Sequence, residues 1–322
     1  MAVYTDLSAE DLARLIGAWD VGTLVSAKGI AEGVSNSNWL IETSGSTHGS
    51  RFILTMYERR IDLSDLPFFL GLLDDLSAAK LPVPRTIHDR DSAAFRMVDG
   101  KAVALIEFLP GVSPGSPSSA QAYATGSVLA RLHQTTRNYA SERPNDLSPP
   151  HCAALMQSFD GGALALIDPD LPQVADNAVS LANQWPQDLP RSIIHSDLFP
   201  DNVLMLGNDV SGLIDFYFSC TDFMAYDLAV THAAWSFGKA GQTYHEDVGA
   251  ALIEGYESVR TLSADERSAM RILAQGACLR FVASRVEDWL DTPAGALVTR
   301  KDPMDFVRRW RFYEKQGNAL FA

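Results

Sequence analysis

Residues 192–220 read SIIHSDLFPDNVLMLGNDVSGLIDFYFSC, and the fold turns on how this stretch divides. The apolar runs VLML (203–206) and SGLI (211–214) are separated by Gly207-Asn208-Asp209-Val210, which predicts an antiparallel hairpin with a four-residue loop. In that register residue 206 faces 211, and Asn202 therefore faces Asp215. Directly opposed residues have Cα atoms roughly 4.5–5.5 Å apart. A carboxylate and an amide oxygen would then meet at the open end of the hairpin, beside the loop carrying His195, Asp197 and Asp201. These are hard oxygen donors of the kind Mg2+ takes when it also keeps waters and phosphate oxygens. A slip of one residue would turn one of the two side chains to the other face.

Around this island the chain changes texture. A helix is expected over 7–19, with Ser8 as N-cap, Asp11 closing an approximate capping box and Leu7 stapled to Leu12. Strands are expected at 23–26, 38–43 and 51–57, parted by the turn-rich GVSNSN and SGSTHGS. Leu66, Phe69, Leu70, Leu73 and Leu76 then recur at helical spacing after Ser64 and Asp65, until Pro82 and Pro84 end the helix. Two more strands follow at 95–97 and 103–108. PGVSPGSPSS, residues 110–119, is composed as a linker. Beyond it the pattern is helical over 120–135, 151–160, 174–185, 224–238, 244–258, 264–290 and 303–315, broken only by the strand island at 193–218. The expected class is α+β, with a small antiparallel-sheet lobe (1–109), a linker (110–119) and a larger, mainly helical lobe (120–322).

Charge narrows the partner. The 322 residues carry 26 Lys and Arg against 40 Asp and Glu, a net charge of −14, which repels nucleic acid and anionic lipid and favours a small-molecule partner. An anionic partner such as a nucleotide would need that excess overcome locally by bound metal, backbone N–H groups or a few basic side chains. Cys152, Cys220 and Cys278 have neither disulfide nor zinc spacing. MAVYTDLSAEDL at the start has no apolar run behind a basic flank, and no stretch approaches a span of about 18–20 apolar residues. A cytoplasmic protein is expected.

His195-Ser196-Asp197-Leu198-Phe199-Pro200-Asp201-Asn202 matches H-x-D-x-x-x-x-N, and Ile214-Asp215-Phe216 stands where protein-kinase-like folds carry a second metal-binding Asp. The block resembles the aminoglycoside-phosphotransferase/choline-kinase branch of that superfamily. Within the branch the chain is similar to bacterial homoserine kinases, through GIAEGVSNSNWLIET (29–43), FILTMYERR (52–60), DLPFFLGLLDDL (65–76), HSDLFPDNVLMLG (195–207), GLIDFYFSCTDFMAYDLAV (212–230) and WLDTPAGALVTRKDPMDFVRRWRF (289–312). These stretches cover nearly the whole chain.

The resemblance implies a two-lobed protein-kinase-like fold and transfer of the ATP γ-phosphate to the side-chain hydroxyl of L-homoserine, in threonine biosynthesis. ATP and Mg2+ are the implied cofactor pair. Asp197 would accept or orient the hydroxyl proton, with His195 in the same loop, and Asn202 and Asp215 would hold the metal. Ser35 and Asn36, in a loop with only two glycines, would cover the phosphates. Thr55 stands where a phosphate-pairing lysine is expected, with Lys28, Arg51, Arg59 and Arg60 as the nearby cations, and Glu107 and Leu109 would flank adenine.

An amino-acid substrate wants an arginine for its carboxylate and an acid for its ammonium. Tyr217, Asp222, Trp235 and Arg280 are the expected substrate contacts, with Asp227 and Arg285 as further candidates. Several have plainer readings. Arg280 could form a structural ion pair with Asp227 or Glu287, and Asp227 could cap a helix. His195 could orient its loop through backbone bonds, Asp201 could serve a turn, and His133 could be a core histidine. Arg308, Arg309 and Arg311 read as a solvated helix face. The rivals to a homoserine kinase are a kinase of choline or an aminoglycoside, and a pseudokinase nucleotide sensor.

Overall fold

The structure, a computed structural model, describes residues 7–30, 36–45, 49–58, 62–292 and 300–321. It divides into two compact units, Met1–Val112 with Ser211–Tyr217, and Ser113–Val210 with Phe218–Ala322.

The first unit opens with α1 (Ala9–Ile16), capped by Ser8, whose Oγ accepts the Asp11 N–H at 3.1 Å. The helix stops short of the expected residue 19 because Trp19 bridges to Asp89 and gives its indole N–H to Ile87 O at 2.8 Å. Strands β1 (Thr23–Ile30), β2 (Asn36–Ser44) and β3 (Arg51–Tyr57) precede α2 (Leu66–Ala78), then β4 (Thr86–Ile87), β5 (Arg96–Val98) and β6 (Lys101–Glu107). They form one antiparallel sheet in the order β1-β2-β3-β6-β4, with β5 also on β6. Strand periodicity sorts the core. Val103 and Leu105 join Trp39, Phe52, Leu54 and Met56 in one cluster, while Ala102, Ala104 and Ile106 join Leu66 and Leu70 in another.

The second unit carries α3 (Ser119–Thr136), α4 (Pro149–Ser158), α5 (Gly161–Ile167), α6 (Leu171–Asn183), β7 (Arg191–Ile194), β8 (Val203–Leu206), β9 (Asp209–Leu213, which runs on into the first unit), β10 (Cys220–Phe223), α7 (Met224–Trp235), α8 (Glu246–Glu257), α9 (Ala264–Asp291) and α10 (Met304–Gln316). Capping boxes at Ser118/Gln121 and Ser263/Glu266 start α3 and α9. Every residue of α7 is buried, as befits a helix with no polar stripe. Strand β7 pairs antiparallel with β10, Ile194 opposite Cys220. No helix among the described residues is long and apolar enough to cross a membrane.

The central hairpin differs from its expected form. Gly207 takes φ +65°, so the turn closes over Gly207-Asn208 alone and β9 begins at Asp209. Asn202 ends a 3-10 turn, Pro200–Asn202, and Asp215 lies beyond β9 at φ +65°. Neither residue is in a strand, so the ladder register deduced from the sequence does not apply to them.

Candidate active site

The loop leaving β7 is held by side chains from three helices or turns that follow it in sequence. His195 and Ser196 give their backbone N–H groups to the Asp227 carboxylate of α7, at 2.8 and 2.7 Å. Ser196 sits at φ +62°, and its carbonyl accepts a hydrogen bond from Arg280 Nη1 of α9. The same Nη1 lies 3.4 Å from Asp197 Oδ1. Asn202 Nδ2 donates to Asp197 O at 2.8 Å and lies 3.4 Å from its Oδ2. Trp235, almost fully buried on α7, gives its indole N–H to Leu198 O at 2.9 Å. His195 is fully buried and accepts the Asp197 N–H on Nδ1 at 3.3 Å. Asp197 keeps 18% of its side chain exposed, the one acid of this loop that is both oriented and accessible to a reactant.

Two sequence expectations need correction here. Asp227 is not a helix cap: Phe223 holds that position, and Asp227 is wholly buried inside α7. Burial works to raise its pKa, but the hydrogen bond and charge of His133, and the bond from His195, outweigh it and hold the carboxyl below the ordinary range. His133, on α3, meets Asp227 Oδ2 at 2.9 Å with Nε2 and the Tyr256 hydroxyl at 2.8 Å with Nδ1. Arg260 continues the chain, to Tyr256 at 3.3 Å and Glu266 at 2.7 Å. The signal for Asp227 was present in YDLAVTHAAW: a carboxylate in a helix with no polar face needs buried partners. Arg280, in turn, pairs with Asp197 and not with Asp227 or Glu287, because the loop carbonyl and carboxylate lie beside its guanidinium.

The C-terminal arginines are likewise not a common solvated face. Arg309 is 7% exposed, donates to Ala233 O at 2.7 Å and lies 4.2 Å from the Phe306 ring centroid. Arg308 pairs with Asp305 and Asp302, and Arg285 with Asp305. Only Arg311 is exposed, paired with Asp170. Asp222, on β10, accepts from Asn145 Nδ2 and the Phe223 N–H, both at 2.7 Å, and burial raises its pKa. Asp201 offers its carbonyl to Ser113 Oγ at 3.0 Å.

In the first unit, Thr55 is buried on β3 and donates to Asn38 Oδ1 at 2.9 Å. Asn36 opens β2 opposite Tyr57, its Oδ1 buried without a hydrogen-bond partner among the described residues. Glu107 ends β6 opposite Phe52, with Arg85 Nε at 3.7 Å, and Leu109 follows, half-buried. The Tyr217 and Tyr57 hydroxyls share a hydrogen bond at 2.9 Å, and burial raises both phenol pKa values. Asp215, two residues earlier, is exposed. Ser35, Arg59 and Arg60 lie outside the described residues.

Of the cations considered near β3, Arg51 stacks on Phe108 at 4.5 Å and Lys28 is exposed on β1. Sequence reasoning missed Lys101, which ion-pairs with Glu58, itself the acceptor of Ser37 Oγ at 2.8 Å. Nothing in the local sequence announces it, since Lys101 reaches the end of β3 only through the pairing of β6.

Residues 26–262 match the phosphotransferase enzyme family. The chain is 44% identical to the homoserine kinase of Granulibacter bethesdensis, over 99% of its own length and 98% of that protein's, and 46% identical to the homoserine kinase of Gluconobacter oxydans, over 99% and 100%. The chain belongs to the phosphotransferase enzyme family, among its homoserine kinases. As a family member it is an ATP-dependent phosphotransferase. Its likeness to solved members lies in the fold. An amicoumacin kinase solved with AMP-PNP and Ca2+ matches at TM-score 0.70 and 13% identity, covering 96% of this chain and 93% of that one. A spectinomycin phosphotransferase solved with ADP and spectinomycin matches at TM-score 0.67 and 15% identity, covering 98% and 97%. The α+β, protein-kinase-like fold expected from the sequence is the fold of this chain.

Proposed function

We propose that this phosphotransferase moves the γ-phosphoryl group of ATP to the side-chain hydroxyl of L-homoserine, giving O-phospho-L-homoserine and ADP for threonine biosynthesis in the cytoplasm. Asp197 carries the chemistry: its carboxylate stands partly exposed on a loop held from both ends, with one oxygen toward Arg280 and the other toward Asn202. The acceptor is supported by relatives 44–46% identical over the whole chain, all homoserine kinases. In the transfer the acceptor oxygen forms a bond to the γ-phosphorus, the bond from that phosphorus to the β,γ-bridging oxygen breaks, and the hydroxyl proton passes to Asp197.

Asn202 and Asp215 are the proposed Mg2+ ligands, on the strength of the motif spacing. Asn202 fits that role, because both its side-chain bonds use Nδ2 and leave Oδ1 without a partner among the described residues. No cluster of three or more His, Cys, Asp or Glu stands as a metal site among the described residues, and a sparse hard-oxygen set suits an ion that keeps waters and phosphate oxygens. When bound, the ion neutralises charge developing on the phosphates. Ser35, Asn36, Thr55, Glu107 and Leu109 are the proposed nucleotide contacts, and Tyr217 an acceptor contact. We assign Asp222 and Trp235 to support of the site, since each is buried and hydrogen-bonded within its own unit.

ADP release measured with Mg-ATP and, in turn, L-homoserine, choline and an aminoglycoside tests this reading. Turnover on the order of 1–100 s−1 is expected with L-homoserine alone. Turnover with choline or the aminoglycoside and none with homoserine overturns the acceptor. A thermal shift with Mg-ATP but transfer to none of the three overturns the kinase reading in favour of a nucleotide sensor.

A further inference from the structure

We infer that Arg280 is a positioning residue for Asp197 and not a ligand of the substrate carboxylate; the inference rests on the kinase reading and deepens it. Residues 195–197 form a short backbone segment gripped by two opposite charges. The Asp227 carboxylate takes its N–H groups, at His195 and Ser196, and the Arg280 guanidinium takes its carbonyl, at Ser196. Ser196 lies between the two grips at φ +62°, a region that a residue with a Cβ occupies only where its surroundings over-determine it. The turn at Ser196 aims the next side chain, that of Asp197.

Arg280 reaches that side chain as well. Its Nη1 serves both the Ser196 carbonyl and Asp197 Oδ1, while Asn202 Nδ2 approaches Oδ2. The guanidinium lies 4.6 Å from the Phe281 ring centroid and 5.3 Å from that of Phe218, and the residue is 2% exposed. Its Nε is buried with no hydrogen-bond partner among the described residues. A buried cation needs an anion, and Asp197 is the only carboxylate in ion-pair range of Arg280 among the described residues. A substrate carboxylate at Arg280 would compete with Asp197 for the same buried guanidinium. A lysine ammonium would keep the charge, but it cannot lie flat between rings while serving a carbonyl and a carboxylate together.

Arg280→Lys and Arg280→Ala, compared with the wild type, test the inference in two ways. Steady-state kinetics with Mg-ATP and L-homoserine should show kcat lowered roughly 10- to 1,000-fold in both, with both KM values within about twofold. Added guanidinium chloride at non-denaturing concentration should restore part of the kcat of Arg280→Ala. A homoserine KM raised about tenfold or more at preserved kcat would make Arg280 a substrate ligand and overturn the inference, as would unchanged kinetics. Amide hydrogen exchange over residues 195–202 needs no turnover. It should rise in Arg280→Ala and, less strongly, in Arg280→Lys, whose fold a thermal midpoint checks, and unchanged exchange there overturns the inference whatever the substrate proves to be. A wild type that releases no ADP with L-homoserine fails the kinase reading alone, and the exchange result still decides the role of Arg280.

Discussion

Asp227 and His232 share α7, a helix without an exposed face, and they meet burial in opposite ways. Asp227 is held in its charged form by His133 and the loop N–H groups. Among the described residues His232 has only the Tyr313 hydroxyl, 2.6 Å from Nδ1, and its Nε2 has no partner, so burial lowers its pKa from 6.5 to about 3 and it folds neutral. A depressed histidine makes the unfolded chain the better proton binder between those two values. Stability contributed by the neutral ring is therefore complete above about pH 6.5 and is lost as pH falls toward about 3. Urea unfolding should show a loss on the order of 2 kcal/mol from this group between about pH 7 and pH 5. His232→Leu should flatten the slope by about that amount, and an unaltered slope would contradict the assignment. The Ser8 cap was legible in the sequence from its local signature, and the motif singled out Asp197 and Asn202 as the residues proposed for the site. Partners were not legible. Arg280 was recognised as needing one, but its choice of Asp197 over Asp227 depends on how α9 passes the loop.

Among the elements, α3 and α8 cross at glycine contacts. A Cβ on Gly126 would lie 2.1 Å from Leu252 O, and one on Gly255 would lie 2.0 Å from Tyr123 O, so each helix presents a glycine to the other's backbone. Neither carbonyl can move without shifting its helix. Gly126→Ala or Gly255→Ala should lower stability by roughly 1–3 kcal/mol in denaturant titration. Because α3 carries His133 and α8 carries Tyr256, the same change should loosen the support of Asp227 and lower kcat. A stability equal to the wild type would show that the helices tolerate the extra methyl and contradict the crossing. The long elements were readable: β3 occupies the expected 51–57, and the helices start within a few residues of their expected caps. Short ones were not. Strand β4 has two residues and α5 has seven, too few for a period to show. The hairpin turn was misjudged because Asp209 and Val210 have the composition of a loop but complete a strand once Gly207 turns the chain. A glycine inside a helix reads only as a weak helix former, so the α3–α8 crossing had no sequence signal.

Across the whole molecule, a chain of net charge −14 carries out chemistry on a polyanion, and the proposed metal ligation by oxygen donors of the H-x-D-x-x-x-x-N motif would reconcile the two. Motif spacing and alternation were enough to reach the α+β class and to single out the loop proposed here as reactive. They could not show that Asp227, Trp235 and Arg280, named as candidate substrate contacts, hold the loop, because these residues come to it through tertiary packing of α7 and α9. The central claim is that Asp197, aimed by those supports, takes the acceptor's proton during phosphoryl transfer. Single-turnover transfer from Mg-ATP to L-homoserine, measured for the wild type and Asp197→Asn alongside their ATP affinities, tests it most directly. The expected result is transfer slowed by roughly 10²- to 10⁴-fold at undiminished ATP affinity, and an Asp197→Asn enzyme that transfers at the wild-type rate would contradict it.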